Sequence, residues 1–234
     1  MSASSIFPDW PAPANVSAVV LPGENAATID AAAAAWWSEI DSIPLVLPSL
    51  EQVHGTEVVR VEQAAAGMQA DACTSRSPGQ ACLVRTADCL PLLLCNLAGT
   101  EVAAIHAGWR GLAAGVIERA VEHMESPAAE LVAWMGPAIS QRHFEVGGEV
   151  LDHFLEQAEV GTEQATRACF LAEGQKYRAD LYALARLRLN QTGIEQVFGG
   201  DQCTFAESGR FPSYRRQGDS AGRIYSLIAI HNPT

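Results

Sequence analysis

The sequence predicts an α/β fold: a single-domain three-layer α/β/α sandwich around a mixed β-sheet, spanning residues 1–234. Three observations lead there. The runs LPLLLCN and EVAAIHA are almost continuously apolar, which suits strands covered on both faces. Helical patterns alternate with such runs along the chain. No internal repeat or Pro/Ser-rich linker divides it, and 48% hydrophobic against 18% charged residues is enough apolar material for an ordered core.

Ala26 to Ala35 is Ala-rich and runs into Trp36 and Trp37, so it reads as a helix with the tryptophans packed on the body. Apolar or alternating runs at 43–47, 56–61, 80–85, 90–95 and 100–105, each bounded by Pro, Gly or Asn, read as strands. Helical patterns follow at about 111–124, 145–158 and 178–192, and strands return at 130–134, 194–198 and 224–230.

Fifteen Lys and Arg against 27 Asp and Glu give a net charge of −12. Such a surface repels phosphate backbones and anionic lipid, so neither nucleic acid nor a membrane is an expected partner. Local cations in a cleft still admit a small anionic substrate. The six cysteines form no CxxC pair, the N-terminus lacks a basic segment followed by an apolar one, and no apolar stretch approaches the ~18 residues of a membrane span. These features favour a reducing cytoplasm.

His54 in EQVHG, Cys89 in TADCLP and His106 in EVAAIHA all fall at strand ends, where side chains from different strands can converge. Two imidazoles and a thiolate are a good zinc set, and three protein ligands leave a fourth position open, as catalytic sites do. Taken singly, a cysteine on an apolar strand is usually a small buried hydrophobe. A second chemical reading makes Cys89 a nucleophile with His106 as its base and needs no metal. The His-Ala-Gly-Trp-Arg-Gly run after that strand opens a helix, so free backbone N–H groups and Arg110 favour an anion. The plainer reading is that Gly108 and Gly111 only let the chain turn. Arg215, Arg216 and Arg223 among turn formers point to an anion or a purine edge, or to a solvated loop. Asp71, Asp88 and Glu145 are candidates for moving protons or orienting a ligand imidazole.

In order along the chain stand QVHG, the AD of ADACTS, TADCLPLLLCN, EVAAIHAGWRG, GPAI with FEVGGEV, FGGDQCT and SYRR…GR. This set resembles the YfiH-type laccase-domain family, also called multicopper polyphenol oxidase-like, from about Leu50 onward. The resemblance implies an α/β/α sandwich with zinc on His54, Cys89 and His106, copper being the alternative ion of the family's older description as polyphenol oxidases. It implies phosphorolysis of the purine nucleosides adenosine, inosine, guanosine and methylthioadenosine with phosphate as co-substrate, together with adenosine deamination. Editing of peptidoglycan precursors is a further family activity. On that reading Arg110, Arg215 and Arg216 neutralise substrate charge and Asp88 or Glu145 delivers the proton to the leaving purine. Two departures stand out. The family's Thr-Arg, Gly-Gly-Val-Ser and Ser-Leu-Asn-Leu loop is missing where Val16 to Leu21 leads directly into Pro22, Gly23 and the Ala-rich helix, which makes a degenerate, non-catalytic member a third alternative. Gln217 also follows the paired arginines where Asp is usual, with Asp219 as the expected substitute.

Overall fold

The structure is a computed structural model that describes residues 5–23 and 25–232. Strand β1 (Val16–Gly23) is followed by α1 (Ala26–Ser38), whose first turn is capped by the Asn25 side chain accepting from Thr28 N at 2.9 Å. The short β2 (Leu50–Glu51), β3 (Val58–Arg60) and β4 (Met68–Gln69) lead into β5 (Ala72–Ser75), β6 (Cys82–Thr86), β7 (Leu90–Asn96) and β8 (Val102–Ala107). Helices α2 (Trp109–Ala114) and α3 (Val116–His123) precede β9 (Leu131–Met135), β10 (Glu145–Val146), α4 (Gly148–Glu156) and α5 (Glu163–Ala168). The hairpin β11 (Phe170–Glu173) and β12 (Lys176–Ala179), then α6 (Leu181–Thr192), β13 (Gln196–Gly199), α7 (Tyr214–Gln217) and β14 (Arg223–Ile230) complete the order.

A six-stranded mixed sheet, β13-β9-β7-β8-β5-β3, is the centre of the molecule. Its β7 and β8 are apolar at nearly every position, Asn96 and His106 excepted, because both faces are covered. Leu92, Leu94, Ala103 and Ile105 pack toward α2, α3, α4 and α6, while Leu93, Cys95, Val102 and Ala104 face the other way. The mixed sheet therefore lies between helical layers as expected, and the structure adds a second sheet on one side. The three-stranded antiparallel sheet β1-β14-β6 packs on it through Val20, Val84 and Ile228, and carries α1 on its own outer face through Val19, Leu21, Leu227 and Ile29.

Several elements differ from expectation for local reasons. The run 43–47 makes a single bridge, Val46 to Gln80, because Pro44 and Pro48 lack the N–H groups of a ladder. The expected helix 111–124 is two helices, broken at Gly115, whose φ of +96° is the left-handed conformation that glycine tolerates best. The expected helix from 145 starts only at Gly148; Glu145 and Val146 instead pair with Arg178 and Tyr177. Strand β1 escapes a periodicity reading because it ends in Pro22 and Gly23. It is an edge strand, where proline is tolerated, and it pairs with β14 from Val16↔Ile230 to Gly23↔Arg223. Among the described residues no helix is long and apolar enough to cross a membrane.

Candidate metal centre

The antiparallel register of β7 and β8 pairs Leu90 with Ala107 and Pro91 with His106, which leaves Cys89 at the end of β7 beside the His106 side chain. His54 enters from the loop between β2 and β3. Its φ of +61° is a left-handed conformation that costs a non-glycine residue about 1–3 kcal/mol and persists only where surroundings enforce it. The enforcing group is Asp71, fully buried just before β5. One oxygen of its carboxylate accepts from His54 N at 2.9 Å and from His106 Nδ1 at 2.7 Å. The other accepts from Gly55 N at 2.7 Å and Val53 N at 3.2 Å. One carboxylate thus clamps two of the three candidate ligand segments together.

Because Asp71 occupies His106 Nδ1, Nε2 is the ring atom left to face Cys89 and His54. Cys89 Sγ lies 3.7 Å from His54 Nε2, and the two imidazole rings sit edge to face with centroids 4.7 Å apart. Candidate ligand atoms of all three residues lie within 4.8 Å of one another. A tetrahedral zinc with bonds of about 2.0–2.3 Å places neighbouring nitrogen and sulfur ligands about 3.5 Å apart, so this set fits with small inward shifts. Gly108 makes the approach feasible: a Cβ there would stand 2.6 Å from His54 Cδ2 and 3.2 Å from Cys89 Sγ. Gly111 opens space in the same way further into α2, with Gly55 O only 2.6 Å from where its Cβ would be.

The electrostatics match a thiolate ligand. Burial alone raises a thiol pKa, but hydrogen bonds from His106 and His54 outweigh it and bring Cys89 down to about 6. Burial likewise works to lower His106, and its hydrogen bonds to Asp71 and Cys89 overcome this and raise it to about 9. For Asp71, burial works upward and the bonds from His106 and the backbone N–H groups hold the carboxyl below its usual range.

All three residues line one cavity, and His54 and Cys89 also line a second. The larger, about 780 Å³, is walled by His54, Cys89 and His106 together with Arg85, Arg110 and Arg223; the smaller, about 260 Å³, by His54, Cys89, Trp109, Arg110 and Arg215 among others. The Arg110 guanidinium lies 4.5 Å over the Trp109 ring and lines both. Tyr214 also lines both, a residue that sequence reasoning did not single out.

The other sequence candidates divide. Asp88 has a φ of +88° and its carboxylate is fully engaged, accepting from Thr204 Oγ1 at 2.6 Å, Ser213 Oγ at 2.9 Å and Arg215 N at 2.6 Å. It ties the 213–216 segment to the residue before Cys89. Arg215 reaches the small cavity, with its guanidinium on Glu145 O at 3.1 Å and 5.5 Å over the Phe144 ring. Arg216 turns away and donates to the carbonyls of Thr204, Phe205 and Phe211 at 2.6–2.9 Å. The Glu145 carboxylate is held by Lys176 at 2.5 Å and, at 3.7 Å, by Arg178, and it forms no wall of either cavity. Its hydrogen bond from Lys176 keeps the carboxyl below the usual range. Gln217 Oε1 accepts from Ser213 N at 2.8 Å, and Asp219 accepts from the exposed Tyr214 hydroxyl at 3.3 Å.

Comparison with known proteins shows the family. The family model described as multi-copper polyphenol oxidoreductase laccase matches residues 14–231. A protein of Escherichia coli named purine nucleoside phosphorylase YfiH is 51% identical over 180 residues, 76% of this chain and 72% of the relative. One from Pseudomonas aeruginosa, named purine nucleoside phosphorylase PA4543, is 44% identical over 97% of this chain and 98% of its own. That alignment runs over 247 positions, more than the 234 residues here, so the relative carries stretches this chain lacks. The crystal structure of Neisseria meningitidis protein NMB0706 matches with a TM-score of 0.86 at 38% identity, covering 97% of this chain and 99% of that one. This chain therefore belongs to the laccase-like YfiH family, whose Escherichia coli and Pseudomonas aeruginosa members carry the name purine nucleoside phosphorylase.

Proposed function

We propose that this protein is a zinc-dependent purine nucleoside phosphorylase of the cytoplasm, acting as one domain on adenosine, inosine, guanosine and methylthioadenosine, with adenosine deamination as a side reaction. The names of its relatives support the reaction class. The observation that carries the reading is the His54, Cys89 and His106 cluster on the wall of the larger cavity, with His54 and Cys89 shared by the smaller one. His54, Cys89 and His106 would hold zinc, which would supply Lewis acidity and no redox chemistry.

The chain's own groups do the rest. Asp71 fixes the His106 tautomer and holds the His54 loop in its strained conformation. Arg110 and Arg215 line the smaller cavity, which suits inorganic phosphate, and the larger one takes the nucleoside. Asp88 and Arg216 position the 213–216 segment, and Glu145 anchors Arg215 through its carbonyl; Asp88 lines the smaller cavity with its carboxylate already accepting three hydrogen bonds, and Glu145 lines neither cavity. The four remaining histidines touch Thr74, Phe205, Trp109 and Asn232 separately, which favours a single-metal site over a multi-copper cluster.

A second reading, a metal-free cysteine hydrolase, has one observation in its favour: Asp71, His106 and the lowered Cys89 thiol stand in line. One experiment separates the two. Purified protein is analysed for metal, then assayed for release of hypoxanthine from inosine with and without phosphate. Stoichiometric zinc, phosphate-dependent release and loss of both metal and activity in His106→Ala are expected. Full turnover by metal-free protein overturns the reading.

A further inference from the structure

The end of the larger cavity away from the smaller one carries groups that the proposed reaction does not use. Arg85 stands near the end of β6 and Arg223 at the start of β14; both line this cavity with Arg110. None of the three makes an ion pair among the described residues, in a protein of net charge −12. Arg85 gives one nitrogen to Leu50 O, and Arg223 gives one to Ala221 O and Gly222 O, which leaves further guanidinium N–H donors on each without a partner among the described residues. The backbone of Arg85 is pinned on both sides by Gln52, at 2.8 Å from its N–H and 2.8 Å to its carbonyl, so its position is set in advance.

An independent observation lies next to it. Thr86 is 2% exposed, lines the same cavity, and its Oγ1 has no hydrogen-bond partner among the described residues. A buried hydroxyl left unpaired costs about 1–3 kcal/mol, a cost relieved when a ligand oxygen displaces the wall enough to reach the solvent-closed Oγ1. The N-terminus of α1 opens onto the cavity at Asn25, Ala26 and Ile29, with no acidic residue in its first turn, and adds the positive end of a helix dipole. Among the described residues the one carboxylate on these walls is Glu51, which is bonded by Gln69 at 3.4 Å and does not balance three guanidiniums. At about 780 Å³ the cavity lies in the upper part of the range of about 300–1,000 Å³ for small-ligand sites, with room for more than a nucleoside.

We propose that Arg85, Thr86, Arg223 and the α1 N-terminus form a phosphate-ester subsite, so that the protein binds purine nucleoside 5′-monophosphates more tightly than the free nucleosides. The nucleoside half of this proposal rests on the function proposed above; the anion half does not. Inorganic phosphate is the other source of the same chemistry, and the test separates the two. Titration calorimetry of the purified protein with inosine, inosine 5′-monophosphate and inorganic phosphate gives the three affinities. The monophosphate should bind about tenfold or more tightly than inosine, and this ratio should fall several-fold in Arg85→Gln and in Thr86→Val. Thr86→Val removes a hydroxyl that bonds nothing among the described residues, so its unfolding midpoint should equal or exceed that of the wild type, which excludes misfolding as the cause. Equal affinity for inosine and its monophosphate, or a ratio that neither variant changes, overturns the subsite. So does weakening of inorganic phosphate alone, which would assign these groups to the co-substrate. Phosphorolysis of inosine without a monophosphate preference would leave the phosphorylase reading standing and the subsite refuted. Arg85-dependent monophosphate binding without any phosphorolysis would do the reverse.

Discussion

Replacing Asp71 with asparagine keeps the size of the side chain and removes its charge and one acceptor oxygen. The four hydrogen bonds to this carboxylate divide evenly, His106 Nδ1 and His54 N on one oxygen, Gly55 N and Val53 N on the other. If the asparagine turns its oxygen to His106, its NH₂ confronts two backbone N–H donors. Each unsatisfied donor costs about 1–3 kcal/mol, so the fold loses about 2–6 kcal/mol. That is a large share of the roughly 5–15 kcal/mol of a typical domain. If it turns its NH₂ to His106 instead, the ring must accept at Nδ1 and carry its proton on Nε2, where a metal needs a lone pair. Either orientation damages the site. Urea unfolding of the metal-free variant should report the stability loss, and competition with a chromogenic chelator should show zinc bound about 10–100-fold more weakly. Wild-type stability together with zinc affinity within threefold of wild type would refute the claim that Asp71 holds the two ligand segments.

Gly108 has an ordinary φ of −65°, so Gly108→Ala tests contact alone. The added methyl meets His54 and Cys89, and should lower zinc affinity at least tenfold with little change in melting temperature; unchanged affinity argues against ligation by both. In metal-free protein, Cys89 alkylation by iodoacetamide should rise through pH 6 and level off by about pH 7.5, because the thiolate forms as pH passes about 6. An ordinary thiol keeps climbing toward pH 9, and that profile would show that the histidines do not act on the sulfur. Asp88→Ala removes three accepted hydrogen bonds and should lower kcat/KM for inosine by at least tenfold through a loosened 213–216 segment, whereas Glu145→Gln should stay within a factor of two. The opposite pattern in steady-state kinetics would restore Glu145 as the proton donor.

How much of this could be read from the chain depends on the range of each interaction. The strands β6 to β9 were legible because a strand buried on both faces must be apolar at nearly every position, as Leu90 to Asn96 is. The broken helix at Gly115 and the edge strand ending in Pro22 were not, since a left-handed glycine and an edge position are set by what packs around them. In the site, residue type marked His54, Cys89 and His106, but placed Arg216 and Arg215 side by side as equivalents. The short helix α7 turns one guanidinium into backbone carbonyls and the other toward a cavity.

The sequence by itself determined the fold class, the acidic surface and the inventory of groups able to bind a metal or an anion, because these follow from composition and short-range periodicity. Only the tertiary structure decided which of those groups meet. The β7–β8 register sets Cys89 against His106, and one buried carboxylate at Asp71 draws in the His54 loop from 17 residues away. The reason is that pairing across distant segments is fixed by satisfying buried donors and acceptors together, and no local pattern in the chain encodes that collective condition.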